Sequence, residues 1–152
     1  MKKRFAEHAT FVIERTFPVA PARVFAAWSN LESKQRWFGG PDEWKRGEHT
    51  FDFRVGGKEH LSGGPKGGTV HRFDATYQDI VPNERIVYVY EMHLGDKKIS
   101  VSLATIEIEA DGKGTRMKLT EQGAFLDGYD DAGGREKGTI QLMKQLEESL
   151  KS

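Results

Sequence analysis

Residues 69–94 read TVHRFDATYQDIVPNERIVYVYEMHL, and this stretch decides the fold. Its first half alternates, with Phe73, Ala75 and Tyr77 on one side. Pro82-Asn83 is turn chemistry. After it Ile86, Tyr88, Tyr90, Met92 and Leu94 again fall on a single face. Two half-buried strands joined by a tight turn make an antiparallel hairpin. One of its faces is unusually rich in aromatic rings.

Outward from this hairpin the same period continues. Gly95-Asp96 turns the chain into a strand at 99–110, and Asp111-Gly112-Lys113-Gly114 turns it into another at 115–122. Upstream, Phe51 and Phe53 alternate with polar neighbours. The glycine pair 56–57 and the run GGPKGG at 63–68 are turns between short strands. A further strand spans 10–17, TFVIERTF. The period becomes helical at both flanks. PARVFAAWS (21–29) starts with proline, which suits a first helical turn, and sets Val24, Phe25 and Trp28 on one face. Ser29 with Glu32 matches a capping box, so a second short helix starts near Leu31 and ends at Gly39-Gly40. After a loop at 123–131, Ile140, Met143, Leu146 and Leu150 form the stripe of a closing helix. The glycines at 133, 134 and 138 near its start either fray it or let it approach a sheet closely.

The order is β, α, α, about six strands, then one long helix. This is an α+β fold with a curved antiparallel sheet of six to seven strands. A helix of about 18 residues spans about 27 Å, enough to lie across such a sheet. The chain has 152 residues, the size of one domain covering 1–152. Lys and Arg total 23 and so do Asp and Glu, which argues against bulk-charge binding of nucleic acid or an acidic membrane. There is no cysteine, so disulfides, thiolate catalysis and cysteine-ligated metals are excluded. Glu7 and His8 interrupt any apolar leader, and no apolar run reaches membrane-spanning length. A cytoplasmic protein without membrane insertion is the expectation.

The residues also carry a family likeness. The succession Phe17-Pro18-Val19-Ala20-Pro21-Ala22-Arg23-Val24-Phe25-Ala26-Ala27-Trp28, then Arg36-Trp37-Phe38-Gly39, Asp52-Phe53-Arg54-Val55-Gly56-Gly57 and Ile80-Val81-Pro82-Asn83-Glu84-Arg85-Ile86-Val87-Tyr88, resembles the family named for the activator of heat-shock-protein ATPase. That family lies in the SRPBCC, or START-like, superfamily. The likeness runs from about residue 10 to 150. It departs from the family at Thr139, where many members have Trp, and in the GGPKGG insert, which bears on one cavity mouth. The resemblance implies the helix-grip fold, with the sheet wrapped on the C-terminal helix and two short helices after the first strand. It implies a small hydrophobic ligand as partner, no cofactor, and leaves a homodimer open.

Aromatic and sulfur side chains are the candidate ligand contacts. Trp28, Trp37 and Phe38 come from the two short helices. Phe53, Phe73, Tyr77, Tyr88, Tyr90 and Met92 come from strands. Phe125 and Tyr129 come from the loop before the last helix, and Met143 from the helix itself. Core packing accounts for most such residues without a ligand, but a buried phenol needs a partner and a ligand can supply one.

Glu121 follows Met117 and Leu119 in phase and points inward, where a buried carboxyl gains a raised pKa and acid–base capacity. It and Tyr88 are the catalytic candidates, with His93 weaker because it is out of phase. No spaced histidine pair marks a metal site. His60 and His71 flank the glycine hairpin and would have to converge across it. GGPKGG lacks the ending of a P-loop. Three functions follow in order: a binding module for a small hydrophobic or aromatic molecule, an enzyme acting on a polyketide-like or aromatic substrate in the same cavity, and a heat-shock ATPase co-chaperone. The entrance is expected beside residues 63–68 and 123–138.

Overall fold

The computed structural model describes residues 4–151. The chain runs β1 (Ala6–Phe17), α1 (Pro21–Ser29), α2 (Leu31–Gln35), β2 (Lys45–Phe51), β3 (Lys58–Gly64), β4 (His71–Val81), β5 (Arg85–Leu94), β6 (Lys97–Asp111), β7 (Gly114–Leu126) and α3 (Ala132–Ser149). The seven strands form one antiparallel sheet in the order β1-β7-β6-β5-β4-β3-β2. Each strand from β2 to β7 pairs with its sequence neighbour, as short turns require, while β1 crosses to the far side of β7. Asn83, Gly95 and Gly112 turn the tight hairpins with φ of 65°, 61° and 61°. Those are left-handed values that asparagine and glycine adopt most readily.

The sheet presents one face to the core. Its central inner row runs Tyr77↔Tyr88↔Ala104 and Ala75↔Tyr90↔Ser102 across β4, β5 and β6. Ala104 borders the ring pair Tyr77–Tyr88, and Ala75 and Ser102 flank Tyr90, which leaves the rings space above the sheet. Register shifts at Arg46/His49, Tyr77/Asp79 and Met92/His93 bend the strands and curve the sheet. Helix α3 buries Thr139, Met143 and Leu146. Asp131 caps it, accepting a hydrogen bond from the Gly134 amide at 2.7 Å. The Gln145 amide Nε2 donates to the Trp37 carbonyl at 2.7 Å and ties α3 to the segment after α2. The result is the helix-grip α+β architecture. Among the described residues no helix is long and apolar enough to cross a membrane.

Several local readings change. The first strand begins at Ala6, ahead of residue 10. Ser29 is the last residue of α1, and the cap of α2 is Asn30, whose side chain accepts from the Ser33 amide at 3.0 Å. A helix cap needs extended backbone, which Asn30 has and helical Ser29 does not. Helix α2 stops at Gln35, short of the glycine pair. Gly63 and Gly64 belong to β3, and Phe53 falls after β2 ends. Strand β7 continues through Leu126, and Phe125 is a strand residue paired with Glu7 of β1 and Ser100 of β6. A side chain added at Gly138 would meet nothing within 4 Å, so that glycine serves no close approach of helix to sheet.

Candidate functional site

Between the sheet and α3 lies a cavity of about 720 Å³. Its floor is Phe73, Tyr88, Tyr90 and Met92 from the central hairpin, with Leu119 and Glu121 from β7. Trp28, Trp37 and Phe38 close one side, and Thr139, Leu142 and Met143 of α3 form the roof. Pro41, Trp44, Arg46, Gly63, His71, Tyr129, Gly134 and Gly138 also border it. Both segments expected beside the entrance therefore contribute, the first through Gly63 and the second through residues 129–138. The wall is mainly apolar, as in a site for a small organic molecule.

Nine of the twelve candidate contacts share this wall: Trp28, Trp37, Phe38, Phe73, Tyr88, Tyr90, Met92, Tyr129 and Met143. The other three stand elsewhere. Phe53 packs edge-on against Phe25 and Tyr77, at 5.8 and 4.9 Å between ring centroids. Tyr77 turns its hydroxyl to Glu59. Phe125 lies beneath the Arg135 guanidinium at 5.3 Å.

Two buried carboxylates bracket a row of three tyrosines. Tyr77, Tyr88 and Tyr90 follow one another with ring centroids 5.8 and 5.9 Å apart. At one end Tyr77 donates to Glu59 Oε1 at 2.6 Å. The Lys34 ammonium donates to the same oxygen at 2.6 Å, and His49 Nε2 lies 2.8 Å from the other. Burial alone would push the Glu59 carboxyl up, but the Lys34 charge and the hydrogen bonds from His49, Lys34 and Tyr77 outweigh it and hold it below its ordinary value. Lys34 also sits 4.4 Å from the centroid of the Phe38 ring.

At the other end Tyr90 donates to Glu121 Oε2 at 2.7 Å. Arg135 reaches in from the first turns of α3. It donates to the Tyr90 hydroxyl at 3.1 Å, to Ser100 Oγ at 2.8 Å and to Asp130 Oδ2 at 3.0 Å. Its guanidinium stands 3.7 Å from Glu121. Burial pushes the Glu121 carboxyl above its ordinary value, and the Tyr90 bond and Arg135 charge do not fully offset this. Glu121 is therefore a protonatable group in the cavity wall. Tyr88, between the two clusters, is pushed well up by burial and then by Tyr90, Glu121 and Glu59, so its hydroxyl keeps its proton.

Lys34, Glu59 and Arg135 carry no local signature of burial. The available signal was phase. Glu59 pairs with Ala75 and so shares the face of Phe73 and Tyr77. Arg135 precedes Thr139 by one helical turn on the cavity side. The histidines do not converge. His60 Nδ1 lies 2.6 Å from Asp74, whereas His71 pairs with Gly63 and stacks near Trp44 at 4.6 Å. His93 is not part of the cavity wall.

Solved structures with this shape are numerous. A protein from Rhizobium leguminosarum is 49% identical, with 98% of each chain covered and a TM-score of 0.93. The Mll3558 protein from Rhizobium loti is 46% identical, covering 95% of this chain and 99% of its own, with a TM-score of 0.89. An AHSA1-like protein from Aeromonas hydrophila shares the fold at 15% identity, covering 94% and 92%, with a TM-score of 0.74. Among curated proteins none matches significantly. The family model described as "Activator of Hsp90 ATPase homolog 1-like protein" matches residues 18–151. With nearly the whole chain so matched on a helix-grip fold, the protein belongs to the activator of Hsp90 ATPase homolog 1-like family of the SRPBCC superfamily.

Proposed function

We propose that the protein binds a small apolar or aromatic molecule in the cavity between the sheet and α3. The observation that carries this reading is the cavity itself: about 720 Å³ under a wall of tryptophan, phenylalanine, tyrosine and methionine side chains. Space of that volume and polarity holds molecules of drug or metabolite size. The test is native mass spectrometry of protein purified from cells, before and after organic extraction. A mass excess that disappears on extraction supports the reading, and fragmentation of the extract gives the ligand class. An unliganded mass, with no change in tryptophan fluorescence on titration with naphthalene derivatives, overturns it.

A second reading is favoured by Glu121. A buried carboxyl with a raised pKa, hydrogen-bonded to Tyr90 in a cavity wall, has the properties of a general acid or base. The cavity would then hold an aromatic or polyketide-like substrate. Glu121→Gln is the test: turnover unchanged in this variant removes the role.

A further inference from the structure

The row of three tyrosines is unevenly satisfied. Tyr77 and Tyr90 each donate to a carboxylate. Tyr88 stands between them, 6% exposed and lining the cavity, and its hydroxyl has no hydrogen-bond partner among the described residues. This hydroxyl is not among the fully buried polar atoms that lack a partner, so it opens on the cavity, where water or a ligand reaches it. The neighbouring carboxylates accept from other donors, Glu59 from Lys34 and Tyr77 with His49 beside it, and Glu121 Oε2 from Tyr90, and neither accepts from Tyr88. The partner that completes Tyr88 therefore comes from the cavity.

The charges nearby limit what that partner can be. Lys34 is matched by Glu59, and Arg135 is matched by Glu121 and Asp130. Neither of these cations is free beside Tyr88 for an anionic ligand, and Lys45 and Arg46, which also border the cavity, are exposed residues of the edge strand β2. The rest of the floor is apolar, made by Phe73, Met92 and Leu119. Tyr88 keeps its proton, so it offers an O–H donor to a neutral acceptor.

We propose that Tyr88 is the hydrogen-bond donor that reads the ligand, and that the ligand is an uncharged aromatic molecule bearing a carbonyl oxygen. This rests on the cavity-binding reading above and adds the chemical class of the ligand and the residue that selects it. A site built to bond an oxygen discriminates against the analogue without it, because the hydrocarbon removes water from Tyr88 and leaves the hydroxyl unpaired.

The test is calorimetric titration at neutral pH with three probes of one frame: 2-acetylnaphthalene, 2-ethylnaphthalene and 2-naphthoate. The ketone binds the unaltered protein about tenfold more tightly than the hydrocarbon, and also more tightly than the carboxylate. In Tyr88→Phe the ketone's advantage falls to about one, while the hydrocarbon's affinity stays within about twofold. Equal affinity for ketone and hydrocarbon in the unaltered protein overturns the proposal without needing any variant. So does tighter binding of the carboxylate, or an advantage that persists in Tyr88→Phe. If the hydrocarbon binds and the ratio is one, the cavity reading stands and this proposal falls. If none of the probes binds, both fall.

Discussion

The Lys34 ammonium lies 2.6 Å from a Glu59 oxygen, and each residue is only 1% exposed. They are 25 residues apart and belong to α2 and β3, so the pair pins the short helix to the sheet behind the cavity wall. Removing one member of such a pair strands the other charge in a low-dielectric interior. Lys34→Met is expected to cost about 3–5 kcal/mol in urea denaturation. Adding Glu59→Gln to it restores part of the loss, because the unpaired carboxylate is gone. A double variant no more stable than Lys34→Met would contradict this account.

The two buried carboxyls respond to acid in opposite senses. Glu59 is held below its ordinary value, so its contribution to stability is present above the ordinary carboxyl range and is lost as the pH falls through the folded value. Glu121 is raised, so its contribution is full below 4.5 and is lost as the pH rises through its folded value. Thermal melts from pH 4 to 8 are expected to show the unaltered protein losing stability relative to Glu121→Gln as pH rises from 4.5. A difference that stays flat across that range would sink the assignment.

Gly138 borders the cavity from α3, and a Cβ there meets nothing within 4 Å. Gly138→Leu should therefore fold without strain and gain about 0.5–1 kcal/mol from helix propensity. Its side chain occupies cavity space. Binding of 2-ethylnaphthalene should weaken by tenfold or more while the melting temperature holds or rises. Undiminished binding would mean that the ligand sits elsewhere.

The Gln145 bond to the Trp37 carbonyl joins the roof of the cavity to its side wall. Gln145→Ala leaves that carbonyl without its donor, at an expected cost of about 1–2 kcal/mol by denaturation. Amide exchange should accelerate around residues 37–41, which border the cavity, more than in β6 or β7. Uniform acceleration would instead indicate a global loss of stability.

The parts of the fold that follow a two-residue or helical period were legible from residue types alone. Alternation in 71–94 identified the central hairpin and the face that carries Tyr88 and Tyr90, and the phase of Met117 and Leu119 carried Glu121 inward. Chain ends of elements were less legible, since they depend on pairing partners. Strand β7 runs on past residue 122 because β6 pairs with it to Phe125 and β1 to Leu126. The ionic half of the site was hidden for a different reason. Lys34 meets Glu59, and Arg135 meets Tyr90 and Ser100, through docking of a helix on the sheet. A charged residue on a helix ordinarily signals solvent, and the phase of Arg135 with Thr139 was the one local pointer to an exception.

The pairing of β1 with β7 also bears on synthesis. Residues 6–17 find their ladder partner in residues 115–126, about a hundred positions later. During translation Phe11, Ile13 and Phe17 wait without a sheet to cover them until the seventh strand has left the ribosome. Strands β3 to β7 can each zip onto the strand before them as they emerge. The nascent chain thus carries an uncovered apolar strand for most of its synthesis, a natural target for chaperone holdases, and closure of this pair is the step whose loop entropy slows folding most.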